Sequence, residues 1–267
     1  MTNLLYFAIS TRDFIELAEM SIQSGIKEIN HNNIHILLII EKSLKDEILE
    51  KFLKFDIKNL HINCCDTLNK SELSGHWWKY NLKLDIVFFK DLHLYEKIVY
   101  CDSDILFTKN SIMALFDSIK TSDVYITPED KFPSYKYEYF YHKLLYSDED
   151  CKKIDNSPKK TPMNTGVLGW KNTPDIIKQF EKILNVMDKF YKENNTSNHA
   201  WDQVYMNYIF LLDQNIDYSY RNIVTLFPER CIEENTKKVL ENVVFHFISE
   251  HKKERMSAVL LLLENSN

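Results

Sequence analysis

Asp102-Ser103-Asp104 places two carboxylates one residue apart, with Ile98-Val99-Tyr100 before them and Ile105-Leu106-Phe107 behind. The leading run is β-branched and aromatic, the pattern of a buried strand, so the acids stand at a strand end among core-type residues. Charge in such surroundings is costly unless it coordinates a metal or meets a cation. Asp-x-Asp offers hard oxygens to Mg²⁺ or Mn²⁺ and leaves coordination positions for the phosphate oxygens of a substrate. The same residues would also make a turn whose aspartates cap the next segment, and so short a motif does not choose by itself.

Four further stretches carry polar groups at informative places. Gly166 and Gly169, two of only four glycines, fall within Met163–Trp170, where Asn164 can both donate and accept. A turn leading into a strand is the plainer reading. Trp201-Asp202-Gln203 opens a helical pattern, and an acid in a first turn is already favoured by the helix dipole. His246 lies inside the apolar run VVFHF, where a lone histidine is more often a satisfied core residue than a ligand. Lys83, in NLKLDIVFF, reads equally as a surface lysine whose stem lies along apolar neighbours.

The elements that must position these residues follow from periodicity. Leu4–Ile9 predicts a strand, followed by a helix from about Arg12 to Ser24 with Phe14, Leu17, Ala18, Ser21 and Ile22 on one face and Gly25 as C-cap. His35–Ile40 is apolar throughout, as in a strand covered on both faces. Ser43 with Asp46 resembles a capping box for a helix through Phe52, and a short strand follows near Asn59–Asn63. This β-α-β-α-β opening points to a doubly wound, mostly parallel sheet. Ser71–Lys90 reads as a longer helix with Leu73, Trp77, Leu84 and Phe88 inward; then come the Asp-x-Asp strand, a helix at Ser111–Ile119 and a strand at Val124–Thr127. Residues 131–160 break the rhythm with Tyr135, Tyr137, Tyr139, Tyr141 and Tyr146, and read as an insertion over one edge of a cleft. Thr173 and Pro174 supply N-cap and N1 for a helix to about Phe190, ahead of a polar loop at Lys192–Asn198.

Composition bounds the rest. The chain has 267 residues, 45% hydrophobic and 27% charged, which suffices for one large α/β domain. A formal net charge of −6 excludes a broad basic face for nucleic acid. No apolar run reaches spanning length, and Met1-Thr2-Asn3 leads into Leu4 without the basic stretch of a signal peptide. Five cysteines, with Cys64-Cys65 adjacent and no CxxC, suit reduced thiols, so a cytoplasmic location is expected.

Taken in order, a strand ending in Asp-x-Asp, an Asn-Thr-Gly turn, a Trp-Asp-Gln helix start and a strand histidine followed six residues later by lysine resemble the family 8 glycosyltransferases of the GT-A fold. That group includes glycogenin and bacterial lipopolysaccharide sugar transferases. The resemblance covers Leu4 to about Lys253 and implies one α/β, Rossmann-like domain over 1–255 with a mostly parallel central sheet flanked by helices, then a tail at 256–267. It implies Mn²⁺, or Mg²⁺ in its place, on Asp102, Asp104 and His246, and a UDP-hexose donor. Lys83 and Lys252 would reach the diphosphate; Ala8, Ser10, Thr11, Phe14 and Ser103 would hold the nucleotide, with Phe14 replacing the usual tyrosine. Asn164, Asp202 and Gln203 would face the transferred sugar. Two positions depart from the pattern: the glycine of His-x-x-Gly-x-x-Lys is Ser249, and the Pro-Trp after the lysine is Lys253-Glu254.

The implied reaction is a retaining hexosyl transfer, glucose or galactose, to a glycan, a protein or a tyrosine of the chain itself, in a monomer or a homodimer. Tyr218, Tyr220 and Tyr135–Tyr146 are the tyrosines to weigh among 15. Two rivals are a sugar-nucleotide-binding pseudoenzyme and a haloacid-dehalogenase-type phosphatase. The phosphatase pattern would need Thr or Val at Leu106.

Overall fold

The computed structural model describes residues 2–66, 75–132, 134–137, 139–194, 202–226, 242–248 and 251–265. The chain starts with β1 (Thr2–Ile9), whose Leu4, Leu5, Tyr6, Phe7 and Ile9 are fully buried. Burial on both faces explains an uninterrupted apolar run in place of alternation. α1 (Arg12–His31) crosses to β2 (His35–Glu41), which pairs parallel to β1. α2 (Lys45–Phe52) leads to β3 (Leu60–Cys65), parallel to β2 and on its outer side. β4 (Tyr95–Cys101) returns to the other side of β1, again parallel.

Beyond β4 the direction changes. β6 (Val124–Pro128) and β7 (Met163–Lys171) are antiparallel neighbours, β7 also runs antiparallel to β4, and the short β8 (Ile216–Asp217) pairs parallel to β6. The result is a seven-stranded sheet, β3-β2-β1-β4-β7-β6-β8. A second, three-stranded sheet joins β5 (Ile105–Phe107), β10 (Val244–His246) and β9 (Val224–Leu226), with β10 central. The expected α/β domain with a mostly parallel sheet between helices is therefore present.

Helices cover both faces. One core packs Trp170, Leu37 and Ile98 against α5 (Pro174–Asn194) and α6 (Asp202–Asp213). The other packs Phe7, Ile36, Leu38, Ile40 and Val99 against α1 and α3 (Ser111–Ser118). α7 (Lys252–Asn265) buries Met256, Val259, Leu260 and Leu263 with Leu17 of α1 and Phe245 and Phe247 around β10, so the segment after residue 255 is helical.

Several local expectations are corrected. α1 does not stop at Gly25: a β-carbon there would lie 2.6 Å from Ile112 Cδ1 and 3.1 Å from Phe107 Cδ2. The glycine admits α3 and β5 against the helix and is not its terminus. Ser43 and Asp46 form no capping box; a 3₁₀ turn at Lys42–Leu44 runs straight into α2 without a side-chain cap. The expected α-helix over Ser71–Lys90 is a 3₁₀ segment, Gly75–Phe88, in which Leu84 is buried but Phe88 is 63% exposed. At three residues per turn the apolar face differs from that of an α-helix, which strands Phe88 outside. The Asn-Thr-Gly sequence lies within β7, not in a turn. Leu73, Trp201 and Ser249, the Trp77 side chain and most of the polar loop at Lys192–Asn198 fall outside the described residues; α5 itself continues to Asn194, past the expected end at Phe190.

The inserted tyrosines are mainly structural. Tyr135, Tyr141 and Tyr146 pack on one another, and Tyr146 meets Tyr208 of α6 edge-on. α4 (Asp148–Asp155), with a capping box between Ser147 and Asp150, completes this layer.

Candidate active site

Ligand sites in open α/β sheets lie beyond the carboxyl ends of the strands. Here β1 and β4 end beside a cavity of ≈330 Å³, whose wall includes Ala8, Ser10 and Phe14 at one side, Asp102, Ser103, Asp104 and Lys252 centrally, and Lys83, Thr165, Asp202 and Gln203 beyond. Tyr100 and Tyr139 complete its wall.

Two backbone pairings build the centre. Asp102 N–H donates to Gly166 O at 2.7 Å, which fastens the end of β4 to β7. His246 stands opposite Ile105 in the β5–β10 register, and Phe247 N–H donates to Asp104 O at 3.0 Å. His246 Nε2 consequently lies 3.3 Å from Asp104 Oδ1 and 3.8 Å from Asp102 Oδ2. Ligand atoms of the three residues all fall within 4.8 Å of one another. Asp104 Oδ1 is buried and, apart from the His246 ring nitrogen at 3.3 Å, has no hydrogen-bond partner among the described residues, as an oxygen that faces a cation would. Two carboxylates and one imidazole fit Mn²⁺ better than a sulfur-seeking ion. Gly166 makes the approach feasible, because a β-carbon at that position would lie 2.1 Å from His246 Cε1 and 2.9 Å from Asp102 Oδ2.

Cations surround the acids. Lys252, first residue of α7, donates to Asp104 Oδ2. Burial would raise the Asp104 pKa, but its interactions with His246 and Lys252 outweigh it and hold the carboxyl well below its ordinary range. Lys83 is buried, with its Nζ 2.9 Å from Asp202 Oδ2, 3.5 Å from Asp102 Oδ1 and 3.0 Å from Thr165 O. Desolvation alone would depress it; the two carboxylates reverse the sign and keep it an ammonium. It is not the snorkelling surface residue that its spacing equally allowed.

The far wall is held by α6. Asn207 accepts from Met163 N–H at 2.9 Å and donates to Met163 O at 3.1 Å, so its amide pins the helix to β7. That contact sets Asp202 and Gln203, one turn earlier, against Thr165. The Thr165 hydroxyl lies 3.1 Å from Asp202 Oδ2 and 3.2 Å from Gln203 Oε1, which also accepts from Thr165 N–H at 3.2 Å.

Most of the expected site residues line this cavity; three do not, and of these His246 reaches the site through its contacts with Asp102 and Asp104. Asn164 does not line the cavity; it donates to Glu129 Oε1 at 2.8 Å and accepts from Gly166 N–H at 2.9 Å, bracing the bulged pairing of β6 and β7. Thr11 is the N-cap of α1, makes no side-chain cap bond and is not in the cavity wall. Two participants went unnoticed in the sequence. Tyr100 donates to Asp102 Oδ1, and Lys83 Nζ stands 4.6 Å from the centre of its ring. Thr165 joins Lys83 to Asp202. Tyr100 was findable, since residues two apart in a strand share a face; Thr165 had no comparable signal.

The seven-stranded sheet flanked by helices matches the GT-A fold of solved glycosyltransferases. The galactosyltransferase LgtC, in complex with donor and acceptor sugar analogues, superposes with a TM-score of 0.62 at 13% identity, covering 99% of this chain and 96% of that one. The bifunctional WbbM glycosyltransferase gives 0.59 at 14% identity over 94% of this chain and 46% of its own. Mouse xyloside xylosyltransferase 1 gives 0.54 at 10% identity, with 92% and 97% covered. No family model matches the sequence, and no curated protein matches it either. Among the described residues no helix is long and apolar enough to cross a membrane.

Proposed function

We propose that the protein is a retaining glycosyltransferase of the family 8 type, moving a hexose from a UDP-sugar to a hydroxyl acceptor with Mn²⁺ bound by Asp102, Asp104 and His246. The observation that carries this reading is the meeting of those three side chains, their ligand atoms all within 4.8 Å of one another, beside a cavity that the two aspartates line together with Lys252. A bound divalent ion supplies Lewis-acid stabilisation of the diphosphate that departs.

The chain's own groups do the rest. Ser10 and Phe14 line the nucleotide end of the cavity. Lys252 leaves Asp104 to meet the diphosphate, adding positive charge where negative charge develops. Lys83 is assigned here to holding Asp202 and Asp102 in place, since its donors are already engaged by both carboxylates and by Thr165. Asp202, fixed by Lys83 and Thr165, stabilises the positive charge that grows at the anomeric carbon. The carbon–phosphate-oxygen bond breaks, the acceptor oxygen attacks from the same face, and the acceptor proton passes to the departing phosphate oxygen. Retention follows without a covalent sugar–enzyme bond.

Names among the structural relatives include a galactosyltransferase and a xylosyltransferase, so donors are compared side by side. The protein is incubated with Mn²⁺ and UDP-glucose, UDP-galactose or UDP-xylose, and UDP release and intact mass are followed. Release of UDP that stops with chelator and in Asp104→Asn supports the reading. A ladder of sugar additions on the chain would identify self-transfer, whereas UDP release at unchanged mass directs the search to a separate acceptor. Binding without release selects the pseudoenzyme, and full activity in excess chelator rejects the metal assignment.

A further inference from the structure

At the end of the sheet opposite the cavity, three polar side chains meet that glycosyl transfer does not use. His35 opens β2, His61 lies one residue into β3, and Tyr95 opens β4. These strands run parallel through β1, so their first residues gather at one end. The length of β4, roughly 20 Å at about 3.3 Å per residue, separates Tyr95 from the catalytic end. His35 Nδ1 is 3.2 Å from His61 Nε2 and 3.1 Å from the Tyr95 hydroxyl, which is itself 3.3 Å from His61 Nε2. Both imidazoles are half-buried and so open to entry from solvent, while Tyr95 is buried beneath them. The Phe89 ring backs His61 and Tyr95, and Asp91 contributes negative charge near the Tyr95 hydroxyl.

We infer that His35 Nδ1, His61 Nε2 and the Tyr95 hydroxyl form a second metal site, which takes a borderline divalent transition ion, Zn²⁺ first among them. Donors about 2.0–2.1 Å from a tetrahedral ion stand roughly 3.3–3.4 Å from one another. The three distances here match one triangular face of that tetrahedron, and solvent is available for the fourth position. Two imidazoles select Zn²⁺, Cu²⁺, Ni²⁺ or Co²⁺ over the Mg²⁺ and Mn²⁺ that carboxylates prefer, so the two centres take different ions. The imidazole planes differ by 20°. Binding turns both nitrogens toward one point above the triangle, through the soft terminal torsion of histidine. It displaces whatever proton the donors share, so affinity rises from acid to neutral pH. The ion would tie β3, an edge strand, to β2 and across β1 to β4. It acts on the fold and not on the reaction.

The test uses the full chain, unmodified and as Asp104→Asn, which impairs the carboxylate centre. Zn²⁺ is titrated by calorimetry, and Co²⁺ is followed by its visible ligand-field bands. One equivalent of Zn²⁺ should bind Asp104→Asn, give tetrahedral Co²⁺ bands, and raise Tm by roughly 5–10 °C at a hundredfold excess over Kd. His61→Gln should weaken binding by at least about tenfold and remove the bands. Tyr95→Phe, which keeps the ring, should weaken it less and change the spectrum. Metal-free melting of each variant reports whether it is folded, and His35→Gln repeats the test from the other strand if His61→Gln is not. No Zn²⁺ uptake by Asp104→Asn would overturn the site and leave a hydrogen-bonded trio. Uptake unchanged by both histidine variants would overturn it as well.

Discussion

The His246 imidazole fills the space that any side chain at Gly166 would need, with Cε1 2.1 Å from the position of a β-carbon there. Gly169, three residues along β7, is equally crowded, but by the Tyr220 hydroxyl at 1.8 Å, away from the acids. One strand therefore carries two glycines with separable consequences.

Gly166→Ala should displace His246 and Asp102 and weaken Mn²⁺-dependent UDP binding by at least about tenfold, as calorimetry would show. Gly169→Ala should act on stability, costing about 1–3 kcal/mol by overpacking and lowering Tm by roughly 2–4 °C per kcal/mol. Equal effects of the two substitutions on nucleotide binding would contradict this division.

Tyr100→Phe removes only the hydroxyl that engages Asp102 Oδ1, the oxygen turned away from His246. Without that bond, Oδ1 keeps only the longer Lys83 contact at 3.5 Å, and the carboxylate is held less firmly. The expected cost is a 10- to 100-fold drop in Mn²⁺ affinity, typical of the partners that orient metal ligands, with a loss of no more than about 1.5–3 kcal/mol in stability from the missing bond. Unaltered affinity would assign the phenol to packing alone.

Lys83→Met should be harsher. It leaves Asp202 without its cation in a buried setting, a loss of about 3–5 kcal/mol of folding stability. Asp202→Asn, which keeps the shape, should instead slow turnover ten- to a hundredfold, about 1.4–2.8 kcal/mol in the barrier, with UDP affinity little changed. An inverted anomeric product by NMR would reject the retaining chemistry.

A pH effect should arise far from the cavity. Glu28 of α1 accepts from the Met113 and Ile112 N–H groups at 2.7 and 3.3 Å, capping α3 from another helix. Burial raises its carboxyl pKa above the ordinary 4.5, and the two N–H groups only partly offset this. A raised folded-state pKa contributes stability that is complete below the unfolded value and is lost as pH rises through the folded one. Relative to Glu28→Gln, the parent should lose Tm as pH rises from the ordinary carboxylate range through the raised folded-state pKa. A difference that grows in the parent's favour with pH would reverse the sign and refute it.

What was legible in the chain was chemistry carried by position along an element. Asp102 and Asp104 stood out because acids at the end of an apolar strand need partners, and Asp202 because it opens a helix. What escaped depends on contacts between distant elements. Gly25 looked like a helix end because a glycine is read locally, whereas its role is to admit Ile112 and Phe107. The family resemblance sets Asn164 at the sugar, whereas its partners within the fold are Glu129 and Gly166. The 3₁₀ path of Gly75–Phe88 buries Leu84 while exposing Phe88, two positions four apart that an α-helix would set on one face.

Asp104 and the lysine that neutralises it are 148 positions apart. His246 likewise joins the acids only when β10 docks on β5. During synthesis, at about 5–20 residues per second, the aspartates leave the ribosome on the order of ten seconds before these partners exist. Through that interval two neighbouring negative charges sit at a strand end with no imidazole or Lys252 ammonium to offset them. A nascent chain arrested before Val244 would carry the cradle of the site without its clasp, which arrives only with β10 and Lys252.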